Sequence, residues 1–126
     1  MDSEKGFRGL TTYQKAYELV KEIYKLSRKL PDDEKYNINT QIKRAATSIP
    51  LNIAEGYGRK ESNAEYKRFL IIAKGSNNEL QVLLELCKDF SYITEEKYIQ
   101  LIARSDEIGR MISGLIASCR DKKPNT

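Results

Sequence analysis

The sequence predicts an all-α protein, an up-down-up-down antiparallel four-helix bundle. Three observations carry that prediction: four stretches place apolar residues at three- and four-residue steps, no stretch alternates with a period of two, and the links between stretches are only a few residues long. Short links force consecutive helices to pack antiparallel. At 126 residues, with no internal repeat and no low-complexity segment, the chain has room for one domain. Its expected parts are an N-terminal segment (1–11), the bundle (12–120) and a basic, disordered tail (121–126).

The first helix is expected from about Thr12 to Lys29. Its stripe is Tyr13, Ala16, Tyr17, Val20, Ile23, Tyr24 and Leu30, widened by Leu19 and Leu26. Pro31 ends it, because a residue before proline is pushed out of the helical region. The second runs from about Ile38 to Tyr57, with Ile38, Ile42, Ala45, Ala46, Ile49, Ile53 and Tyr57 on one face and Gly56 and Gly58 as its stop. Pro50 lies inside it, lacks an amide donor and crowds the Ala46 carbonyl at a cost of roughly 3 kcal/mol, so a bend is expected there.

Ser62 and Glu65 have the spacing of a capping box, which starts a third helix running to about Phe90, where Ser91 breaks it. Thr94 caps the fourth, Glu95 and Glu96 suit its positive end, and Tyr98, Leu101, Ile102, Ser105, Ile108, Ile112, Leu115, Ile116 and Cys119 share its apolar face. In this topology Cys87 and Cys119 lie roughly 30 Å apart along the bundle, too far to bridge, and both read as buried small apolar residues.

The third helix is apolar around more of its circumference than a bundle core can use. Tyr66, Phe69, Leu70, Ala73, Leu80, Leu84 and Cys87 suffice for the core; Ile71, Ile72, Gly75, Val82, Leu86 and Phe90 form a second stripe with no evident cover. An exposed patch of that size predicts self-association, the competing arrangement being a thicker core covered by Phe7 and Leu10. Gly75-Ser76-Asn77-Asn78 is costly in mid-helix, about 1 kcal/mol for the glycine alone, and Gly75 on the second stripe suggests close approach of another backbone. On the second helix Gln41, Arg44, Ser48, Asn52, Glu55 and Arg59, with Leu51 beside them, form a polar face suited to a subunit contact, a phosphate backbone, or plain solvation with an Arg59–Glu55 pair.

Composition narrows the function. The chain has no His, which removes the commonest general base and metal ligand and disfavours catalysis; no cofactor or metal is expected. Glu55 and Glu79 are the carboxylates that could face each other between helices, without the Glu-x-x-His motif of a di-iron site. No apolar run is long enough to span a bilayer and the N-terminus lacks a signal-peptide core, so a cytosolic, largely reduced protein is expected. The net charge is +4, from 22 basic and 18 acidic residues, well inside the scatter of about ±6 expected for that many random charges. Its placement says more. Residues 36–75 carry Lys43, Arg44, Arg59, Lys60, Lys67, Arg68 and Lys74 against Glu55, Glu61 and Glu65, which accounts for the whole excess. These seven are the candidates for phosphate contacts, and Tyr57 could stack on an unpaired base if it is not a core tyrosine.

The residues also resemble a known family. Pro31, Glu34 and Tyr36, Gln41-Ile42-Lys43-Arg44-Ala45-Ala46, Ser48-Ile49-Pro50, Asn52-Ile53-Ala54-Glu55-Gly56 with Arg59, then Phe69-Leu70, Ala73, Gly75-Ser76 and Glu79-Leu80 are similar to the bacterial four-helix proteins encoded within intervening sequences of 23S ribosomal RNA genes, the S23 family. The S-I-P-x-N-I-A-E-G run is the most specific element. Tyr13, where relatives often carry Trp, and the Asn-rich start of the second helix are small departures. The resemblance implies a homopentameric ring, a relationship to the accessory protein of diversity-generating retroelements, RNA as a partner, and no established activity. Two readings follow: a non-catalytic oligomeric scaffold that binds structured RNA or other nucleic acid through helices 2 and 3, with Leu51, Ile71, Ile72, Gly75, Val82, Leu86 and Phe90 at the subunit contact, or an adaptor for a protein such as a reverse transcriptase or ribosome-associated factor.

Overall fold

A computed structural model describes residues 3–119. After a 3-10 helix at Ser3–Gly9 come α1 (Thr11–Ser27), a 3-10 turn at Asp32–Glu34, α2 (Ile38–Tyr57), α3 (Asn63–Asp89) and α4 (Glu95–Ser118), with no strand among the described residues. α1 packs on α2 and α4, and α3 packs on α2 and α4, the neighbour relations of an antiparallel four-helix bundle. The basic tail expected at 121–126 lies outside the described residues.

The helix ends are built from local hydrogen bonds. The Ser62 hydroxyl accepts from the Glu65 amide at 3.2 Å, and the Thr94 hydroxyl accepts from the Lys97 amide at 3.1 Å. The capping box is only half made, because the Glu65 carboxylate binds Arg68 instead of reaching back. At the far end of α3 the Tyr92 amide donates to the Cys87 carbonyl (2.8 Å) and the Ser91 amide to the Lys88 carbonyl (2.9 Å), a Schellman closure with Ser91 at φ 62°. A left-handed serine is strained, so Ser91→Gly is expected to raise stability by about 0.5–1 kcal/mol in chemical denaturation. The Tyr92 hydroxyl then donates to Glu34 at 2.6 Å, joining the α1–α2 link to the α3–α4 turn; that bond pushes the phenol up to about 12.

Leu19, Ile23, Ile42, Ile49, Ile53, Leu70, Leu80, Leu84, Leu101, Ile108 and Ile112 are fully buried and form the core. On α1 the core stripe is Thr12, Ala16, Leu19, Ile23 and Leu26, rotated from the one expected, and Tyr17 and Tyr24 are exposed. The reason is geometric. At 100° per residue the tyrosines sit on the flank toward α2, where an amphipathic ring can lie half in water.

Two glycines of the paired helices have different surroundings. Gly56 does not stop α2: it is buried inside the helix, and a Cβ there would meet the Phe69 Cβ at 2.9 Å and the Tyr66 carbonyl oxygen at 3.2 Å. The missing side chain lets α2 and α3 cross closely, and the helix ends at Tyr57. Gly75, in contrast, has no described atom beyond its own turn of helix within 4 Å of such a Cβ. What holds α3 helical is the polar pair after it. The Ser76 and Ser48 hydroxyls share a 2.7 Å hydrogen bond between α3 and α2, Asn77 donates to the Ser105 carbonyl at 2.9 Å, and the Ser105 hydroxyl donates to the Asn77 amide oxygen at 2.8 Å. Gln81 completes the set with bonds to the Ser105 hydroxyl and Asp106. Asn77 and Ser105 are both buried, so this satisfied network sets the register of α3 against α4.

Candidate functional site

The second stripe of α3 lies open on the outside of the bundle. Ile71 is 52% exposed, Ile72 41%, Val82 57% and Phe90 52%, Leu86 is half-buried, and Leu51 across on α2 is 66% exposed. The Ser48–Ser76 bond sets the register of the two helices and brings Leu51 level with Ile72 and Ala73. From Ile71 to Phe90 the stripe is about 28 Å long at 1.5 Å per residue. The 3-10 segment carrying Phe7 packs on α1 and α2, with Phe7 5.0 Å from Tyr13 ring to ring, so it does not cover α3. The thicker-core arrangement is therefore absent.

The seven basic candidates do not form one patch. Arg59, Lys60, Lys67 and Arg68 cluster where α2 turns into α3; Lys74 lies on the flank of α3 toward α4, in a groove it shares with Asp106 and Arg110; Lys43 and Arg44 lie near the other end of α2. Arg44 and Arg59 are roughly 22 Å apart along the helix. The two arginines of the cluster at the turn are paired with carboxylates. Arg59 binds Glu55 at 3.0 Å and approaches Glu65 at 3.6 Å, Arg68 binds Glu65 at 3.1 Å, and both guanidinium groups lie over the Phe69 ring, at 5.1 and 4.4 Å. The hydrogen bond from Arg68 holds the Glu65 carboxyl below its usual range.

Tyr57 is not a stacking platform. Its ring is buried, meets Tyr66 edge-on at 6.2 Å, and carries the Lys60 ammonium 4.0 Å above it, with that ammonium donating to its hydroxyl at 2.8 Å. Nor do Glu55 and Glu79 face each other. Glu55 is level with Phe69 and Glu79 with Ala45, about 15 Å apart along the bundle, and both are exposed. A cleft of about 360 Å³ between the end of α1 and the α3–α4 turn is lined by Lys25, Lys29 and Lys97. Two of its cations already share a partner, since Glu22 binds Lys25 at 3.2 Å and Lys97 at 3.6 Å, which lowers the Glu22 carboxyl.

Sequence reasoning missed the outer α1–α2 face. Tyr17 and Tyr24 entered the core count because their spacing fits it; the signal that would have separated them is that Thr12, Leu19 and Leu26 supply a complete stripe without them. The Lys43 ammonium crosses from α2 to lie 5.6 Å from the Tyr24 ring, and Lys21 lies 5.6 Å from Tyr17.

Among the described residues no group of three His, Cys, Asp or Glu side chains could hold a metal ion, and no helix is long and apolar enough to cross a membrane. Cys87 and Cys119 are buried and unpaired, and burial pushes the Cys87 thiol up to about 11.

Comparison with known proteins adds the following. The family model described as 23S rRNA-intervening sequence protein matches residues 8–114. A solved structure from Bacteroides thetaiotaomicron VPI-5482, a protein with unknown function from the S23 ribosomal protein family determined at 1.70 Å resolution, is 32% identical, superposes with a TM-score of 0.77, and is matched over 84% of this chain and 98% of that one. No curated protein matches.

Proposed function

Because the chain belongs to the 23S rRNA-intervening sequence protein family, we propose that it is a non-catalytic scaffold that assembles into a homopentameric ring and binds nucleic acid, structured RNA foremost. The observation that supports assembly is the exposed stripe of α3. Each of its half-exposed Ile, Val and Phe side chains would contribute roughly 1 kcal/mol on burial against a second copy, and a lone protomer has no compensating reason to leave them in water.

Assembly also gives the charge its weight. Five copies of a chain of net charge +4 carry +20, and phosphate contacts repeated around a ring act together where one copy binds weakly. Lys43, Arg44, Lys60, Lys67 and Lys74 have no carboxylate within ion-pair distance among the described residues, unlike Arg59 and Arg68. They are the better-placed phosphate ligands of the seven. Light scattering is expected to report an oligomer at micromolar concentration, and titration of a structured RNA at several salt concentrations a steep linear loss of log affinity against log salt. A stable single protomer would overturn the ring. An assembled ring that binds no RNA at low salt would overturn the nucleic-acid reading and leave the adaptor, with the α3 stripe or its neighbours docking a protein.

A further inference from the structure

The outer α1–α2 face sets half-exposed aromatic rings beside cations. Tyr17 is 50% exposed and Tyr24 39%. Tyr13 lies 5.9 Å from Tyr17, ring centre to ring centre, and Phe7 continues the row beyond it. From Tyr13 to Tyr24 the row extends about 16 Å along the helix. Cations accompany it: the Arg8 guanidinium is 4.6 Å from the Phe7 ring, and Lys21 and Lys43 flank Tyr17 and Tyr24.

Carboxylates like those that pair the arginines of the α2–α3 turn are scarce here. Glu18 is bound to Lys21 at 3.0 Å, while Arg8, Arg28 and Lys43 have no carboxylate within ion-pair distance among the described residues. A second copy or an apolar protein partner seated on this row would bury cations without a counter-charge, which is costly. A partner that presents flat π faces and a negative backbone together satisfies both features.

We infer that the α1–α2 face is a binding track for single-stranded nucleic acid, with unpaired bases stacking on Tyr17 and Tyr24 and phosphates meeting Lys43, Arg28 and Arg8. The inference rests on the nucleic-acid reading above and narrows it to a face and a strand state. Stacking on tyrosine is sequence-tolerant because every base has a π face, and the adjacent cations make the binding salt-dependent. An extended strand reaches the rings; a duplex keeps its bases stacked inside and offers only phosphates.

The test is fluorescence anisotropy with a labelled oligouridylate, an oligothymidylate and a blunt RNA duplex, using the full chain and the double variants Tyr17→Ala/Tyr24→Ala and Tyr17→Phe/Tyr24→Phe. Both positions are substantially exposed, so the fold is retained, as circular dichroism checks. The alanine variant is expected to lose at least tenfold in affinity for the single strands with duplex binding unchanged, and the phenylalanine variant to bind single strands as the parent does. Equal loss on duplex and single strand, unchanged single-strand affinity in the alanine variant, or a changed oligomer size would overturn the track while leaving nucleic-acid binding intact. Absence of binding by the parent to all three probes at low salt would remove the wider reading and the track together.

Discussion

Changing Ile71 and Val82 together to aspartate is expected to disperse the assembly into single copies without unfolding the bundle. Both side chains are more than half exposed on α3, so within one copy the substitutions place carboxylates in water, where surface changes usually stay within about 0.5 kcal/mol. Between copies the same carboxylates are buried against apolar surface. The effective penalty is several kcal/mol for each unpaired ion, more than the stripe contributes. Light scattering should therefore move from an oligomer to a single protomer while the thermal transition of the helices survives. The ring's advantage in nucleic-acid binding disappears with it, and affinity for a structured RNA is expected to fall at least a hundredfold, the lower end of what linked sites provide. Retention of the parent mass would show that the α3 stripe is not the subunit contact.

Gly56→Val is expected to be the most damaging single change to the fold, at about 2–3 kcal/mol in chemical denaturation, or a melting temperature lower by roughly 10 °C. Already at the Cβ, the new side chain meets the Phe69 Cβ at 2.9 Å and the Tyr66 carbonyl oxygen at 3.2 Å. A carbonyl cannot rotate away as a side-chain tip does, so α2 and α3 must separate, and their packing carries Ile49, Ile53, Leu70 and Ala73. Gly114→Ala is the control: no described atom beyond its own turn of helix lies within 4 Å of that Cβ, and helix propensity alone should stabilise by up to about 1 kcal/mol. If the two variants shift stability in the same direction, the close crossing is not what Gly56 provides.

Much of the fold was legible because helices write their period into the chain. The residues expected on the apolar face of α2, Ile38, Ile42, Ala45, Ala46, Ile49, Ile53 and Tyr57, are all buried, and Ser62 and Thr94 cap as their spacing suggested. Periodicity failed where a residue type suits both sides of a boundary: Tyr17 and Tyr24 keep the core rhythm yet stand in water. Charge counting failed in a similar way, since Arg59 and Arg68 add to a basic segment in sequence but bind Glu55 and Glu65 in space.

By itself the amino-acid order determined that this chain makes four helices, where three of them begin or end, and that α3 carries more apolar surface than its bundle needs, because each follows from neighbours within a turn or two. The tertiary structure alone decided which glycine matters, that Asn77 and Ser105 lock α3 to α4, and which cations remain available for a phosphate. The first two depend on distances between residues ten to thirty positions apart in the chain, and the third on which of several carboxylates within reach each side chain turns to. Steric contact and Coulomb attraction act through space, and local periodicity carries no record of which side chains the crossing of two helices brings together.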